Sequence, residues 1–228
     1  MFIGQIKMSK ISDYLKVSLD SQSPAMPVRI ITGLVVSVLG FLWLPFGMLG
    51  LLILLWIVYV TKPPEISALS VSGRTDIFVP MDGLVTTIET TSGKKIIRIA
   101  QQIHSNKLIL MPCHGKIDIN LFIDGLFLPA DIQNASNLNA RREISVIQDD
   151  ITDVSNKQNN ISLIIWGRPF ARYLASPISE GRVIEAGIPI AISLLHGDLD
   201  IIVPSNYEIM VNLGEFCIAG KTVLARQL

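Results

Sequence analysis

Apolar and polar positions divide this chain into two regimes. From Ile30 to Val60 it reads IITGLVVSVLGFLWLPFGMLGLLILLWIVYV, with no charged side chain. At helical rise these roughly 31 residues reach about 46 Å, against about 30 Å of bilayer core. Pro45 and the glycines near it divide the run in two. Two arrangements satisfy this pattern: one tilted span, or a hairpin that dips in and returns. Lys7, Lys10, Lys16 and Arg29 precede the run and Lys62 follows it, which favours a cytoplasmic N-terminus. The hairpin keeps the rest of the chain on that same side and is the favoured reading. A cleaved signal peptide does not fit, because the run starts late and is too long. Upstream, KISDYLKVSLD (residues 10–20) reads as a short interfacial helix with Ile11, Tyr14, Leu15 and Leu19 inward.

After Lys62-Pro63-Pro64 the pattern turns to short alternating runs, among them KKIIRIA, KLILMP, KIDIN, REISVIQ, ISLIIW and DLDIIVP. Gly, Pro, Asn and Asp punctuate them, which predicts a mostly β domain of many short strands. The polar stretch from Asp131 to Arg142 reads as a loop or short helix. The organisation expected is therefore an N-terminal segment (1–27), a hydrophobic membrane anchor (28–62) and a β domain (63–228).

Composition adds exclusions. The 228 residues carry 19 basic and 19 acidic side chains, so no bulk charge draws the chain to nucleic acid. Cys113 and Cys217 form no CxxC, which suggests neither zinc nor a disulfide framework.

A faint repeat pairs EGRVIEAGIPIA (from Glu180) with GEFCIAGKTVLA (from Gly214). Gly181 aligns with Gly214, and Ala186-Gly187 with Ala219-Gly220, at turns that suit positive φ. Such strand–turn–strand units resemble the barrel-sandwich folds of biotinyl and lipoyl carriers. The carrier lysine at a hairpin tip is missing, so carrier chemistry is not expected. A membrane-anchored biotinyl-like adaptor of the membrane-fusion type is the alternative class. Its coiled-coil hairpin needs a heptad run that this chain lacks.

The stretch LLHGDLDIIVP (residues 194–204) places His196, Asp198 and Asp200 on one strand face. Imidazole and carboxylates suit a divalent metal. A solvated face opposite a buried Leu-Ile-Val stripe is the simpler expectation, with no metal.

The order of several pieces carries a resemblance. A hydrophobic anchor precedes PMDG (Pro80–Gly83); FLPADIQNASNLNAR (Phe127–Arg141) follows; EGRVIEAGIPI, a D-x-x-x-P strand and AGKTVLA close the chain. This resembles the short, bacterial and archaeal form of phosphatidylserine decarboxylase. The resemblance implies a mostly β, barrel-sandwich-like domain with an α-helical membrane anchor at the cytoplasmic face of the inner membrane. Family members cut themselves at a Gly-Ser bond, and the serine becomes a pyruvoyl group that decarboxylates phosphatidylserine. Carried over, the orienting aspartate is Asp82. The histidine of a D-V-H-V-N strand falls at Asp118 in KIDIN, or at Ile117 without a gap. The self-cleaving serine falls at Gly197, with His196 where the family has glycine. An arginine whose family position suggests holding the lipid phosphate survives as Arg172, with Ala171 at its neighbour; a salt bridge within the domain is the alternative for it. The implied partners are a phospholipid membrane, phosphatidylserine, and a second copy or an active paralogue. No pyruvoyl or other cofactor is expected in this chain, because Gly197 has no hydroxyl to supply it. A catalytically impaired homologue is the resulting expectation.

Overall fold

The computed structural model describes residues 24–42, 44–62, 76–91, 93–130, 132, 135–148, 160–195 and 197–227. The expected interfacial helix at 10–20 and the side chain of His196 lie outside them. The chain divides into two compact units, 1–63 and 64–228.

In the first unit the uncharged run forms two helices, α1 (Met26–Leu42) and α2 (Leu44–Val60), 17 residues each. They pack antiparallel. Arg29, near the start of α1, donates to the Thr61 hydroxyl from Nε at 3.0 Å, closing the end where α2 finishes. Its Nη2 also reaches the Thr61 carbonyl. Glycines set the helix separation: a Cβ on Gly47 would lie 2.6 Å from the Gly40 Cα, and one on Gly50 3.0 Å from a Val36 methyl. The run thus folds back on itself as a hairpin. Among the described residues no helix is long and apolar enough to cross a membrane. The outer faces of both helices are nevertheless apolar, with Leu34, Val38, Phe41, Leu52 and Leu55 all more than half exposed.

The second unit is mostly β. Its strands are β1 (Asp76–Phe78), β2 (Gly83–Thr91), β3 (Lys94–Ala100), β4 (Leu108–Leu110), β5 (Gly115–Ile123), β6 (Arg141–Gln148), β7 (Ile161–Trp166), β8 (Leu174–Ala175), β9 (Val183–Ile184), β10 (Pro189–Ser193), β11 (Asp198–Pro204), β12 (Tyr207–Ile209), β13 (Phe216–Cys217) and β14 (Val223–Gln227). One helical turn, α3 (Ala135–Leu138), interrupts them. An eight-stranded antiparallel sheet runs β13-β2-β3-β11-β7-β6-β5-β9. Among the described residues, two three-stranded sheets, β1-β14-β12 and β4-β10-β8, accompany it. Ile97, Ile99, Leu163, Ile165, Leu199 and Ile201 alternate inward from the large sheet into one buried cluster, as period-two patterning requires.

The repeat seen in the sequence organises this domain. Gly181, Gly187, Gly214 and Gly220 all have φ between 69° and 81°, a region where a side chain is strained. The repeat extends further back: Pro80-Met81-Asp82-Gly83 and Pro112-Cys113-His114-Gly115 are counterparts. Gly187 N–H donates to Met111 O at 2.8 Å, as Gly220 N–H donates to Val79 O at 2.9 Å. The two segments also bond each other, Phe78 N–H to Pro112 O and Leu110 N–H to Pro80 O, both at 2.8 Å. Consequently β9 and β13, equivalent in the repeat, cap opposite ends of the large sheet.

Candidate functional site

Asp82 stands in the turn that opens β2, and backbone donors hold it there. Oδ1 accepts from Ala219 N–H at 2.7 Å and Oδ2 from Asn106 N–H at 3.3 Å. The repeat thereby ties the aspartate to the second Ala-Gly turn. Lys107, fully buried just before β4, is a cation that feels the charge of Asp82 without an ion pair between them. Its ammonium donates to Gln102 O at 2.5 Å. Burial pulls its pKa down to about 8, while the charge of Asp82 pushes it up.

Lys107 is joined in turn to the end of β10. Ser193 N–H donates to Lys107 O at 3.1 Å. Ile192 pairs with Leu108 across the β4–β10 ladder, so Ser193 and Lys107 stand opposite one another where it ends. Ser193 is 0% exposed and its hydroxyl has no hydrogen-bond partner among the described residues. The connection from β10 to β11 then passes through Leu195, whose φ of 61° is left-handed. At Gly197 a Cβ would meet the Ser193 Oγ at 2.3 Å, the Ser193 Cβ at 3.3 Å and the Ala171 Cβ at 3.7 Å. Gln101 fastens this point: its N–H donates to Gly197 O at 3.0 Å, and its Oε1 accepts from Gly197 N–H at 3.4 Å. Asp82, Lys107, Ser193 and Gly197 thus form one linked cluster.

The structure does not bring Asp118 into it. Asp118 sits exposed at an irregularity in β5, and its hydrogen bond is to Asn160 Nδ2 at 3.5 Å. Ile117 points into the core. Neither is among the partners of Asp82, which are the Ala219 and Asn106 N–H groups. Nothing in SNKLIL marks Lys107 for burial, since it reads as a strand start, where lysine is an ordinary surface residue.

The acid pair of β11 is not a solvated face. Asp200 is 4% exposed. Its Oδ1 accepts from Arg98 Nε at 2.6 Å, and its Oδ2 from Arg98 Nη2 at 2.7 Å and Trp166 Nε1 at 2.8 Å. Asp198 accepts from Arg168 Nε at 2.6 Å. Each carboxylate is engaged by an arginine on the same face of the sheet. Among the described residues no cluster of His, Cys, Asp and Glu is arranged to hold a metal. Arg172 is exposed, donates to Pro169 O at 3.1 Å and lies over the Phe127 ring. The buried arginine of that loop is Arg168, 5% exposed.

What emerges is a two-fold repeated β domain in which Asp82, Lys107 and Ser193 come from the turn before β2, the start of β4 and the end of β10. Two curated relatives are similar to it over most of their length. The phosphatidylserine decarboxylase proenzyme of Pelagibacter ubique (strain HTCC1062) is 26% identical over 191 residues, 79% of this chain and 84% of the relative. That of Beijerinckia indica subsp. indica is 24% identical over 201 residues, covering 82% and 81%. No family model matches the chain. The chain is thus similar to phosphatidylserine decarboxylase proenzymes over about four-fifths of its length.

Proposed function

We propose that this chain is a membrane-associated member of the family that does not mature into a pyruvoyl enzyme. Gly197 carries the argument. The family's N→O acyl shift requires a hydroxyl on that residue, and hydrogen replaces the whole side chain. The position of Lys107 supports a second replacement. Laid over Ser105 to Ile109, the D-V-H-V-N pattern puts Lys107 at the histidine, one residue after Asn106, whose N–H bonds the retained Asp82. A lysine there is a poorer proton relay than imidazole near neutral pH.

The apolar outer face of the hairpin supports association with a phospholipid membrane at the cytoplasmic side of the inner membrane. Two helices of about 25 Å enter a bilayer core of about 30 Å without traversing it. The doubled P-x-x-G and Ala-Gly turns support a barrel-sandwich relationship to carrier domains. In this reading the chain keeps a lipid-facing scaffold and acts by binding phosphatidylserine or by pairing with another copy or an active paralogue.

Intact mass of the purified full chain tests the proposal. One species of 25.1 kDa is expected. A split near residue 197, or a pyruvoyl signal with carbon dioxide released from phosphatidylserine, overturns it.

A further inference from the structure

We draw no further inference here: the strongest candidate, the side-chain pair of Lys107 and Ser193 at the end of the β4–β10 ladder, is fully buried, and beyond the lowered pKa of Lys107 nothing in the structure shows a ligand or partner reaching it.

Discussion

The Oγ of Ser193 stands 2.3 Å from where a Cβ on Gly197 would be. A hydroxyl on residue 193 thus occupies the space of the side chain missing from residue 197. Both belong to the same buried junction between β10 and β11.

Gly197→Ser is therefore expected to destabilise the chain by about 1–3 kcal/mol, because an inserted side chain in a packed site forces its neighbours to move. Adding Ser193→Ala removes the nearest obstacle and should recover most of that loss. Urea denaturation of both variants, and of Ser193→Ala alone, checks this. A fully tolerated Gly197→Ser would show that the junction is not packed as described. Restoring self-cleavage is expected to require Gly197→Ser, Ser193→Ala and Lys107→His together, with Asp118 left unchanged. Gel mobility reads the outcome.

Lys107 makes stability depend on pH with a definite sign. Its folded pKa is about 8 against an ordinary 10.5. Below pH 8 both states carry the charge, and the folded state bears a cost on the order of 3 kcal/mol. Between about pH 8 and 10.5 the unfolded chain binds the extra proton, so stability rises with pH. Burial raises Cys217 to about 11 and Tyr207 to about 12, and these two work in the opposite direction above pH 9 and 10 respectively. Wild type minus Lys107→Met, measured across pH 7 to 10, isolates the lysine. The difference should shift in favour of the wild type as pH rises; a flat difference counts against a buried ammonium.

Asp200 and Asp118, both aspartates on strands, should respond to very different degrees. Asp200→Ala removes acceptors for two Arg98 bonds and the Trp166 indole, and should cost about 2–4 kcal/mol. Asp118→Ala loses one long, exposed bond and should change stability by less than about 0.5 kcal/mol. Chemical denaturation of the two variants compares them directly.

The hairpin also makes a concrete claim. Gly47→Leu would drive a side chain into the Gly40 backbone, 2.6 Å from the first added carbon. With Cys introduced at Arg29 and Thr61, oxidative crosslinking should be efficient in the native hairpin and fall severalfold with Gly47→Leu. Unchanged crosslinking would mean that the helices do not meet at these glycines.

The sequence alone determined the boundary between apolar run and β domain, the many short strands, and the paired Ala-Gly turns. Each rests on local chemistry: an uncharged stretch, period-two alternation, and glycine's access to positive φ. The family resemblance was equally legible, because PMDG and the Glu180–Ala225 tail keep their order and spacing. What only the tertiary structure decided is which side chains meet. Asp118 shares a motif with the expected histidine but sits on a solvent-facing bulge of β5. Lys107 feels the charge of Asp82 because the two P-x-x-G segments bond across the repeat and bring the start of β4 to the turn before β2. Ser193 reaches Gly197 because the left-handed Leu195 turns the chain back between β10 and β11. Asp198 and Asp200 found arginines on neighbouring elements, pairings that alternation along one strand does not encode. Periodicity reports which face a residue occupies; only the folded chain fixes what stands opposite it.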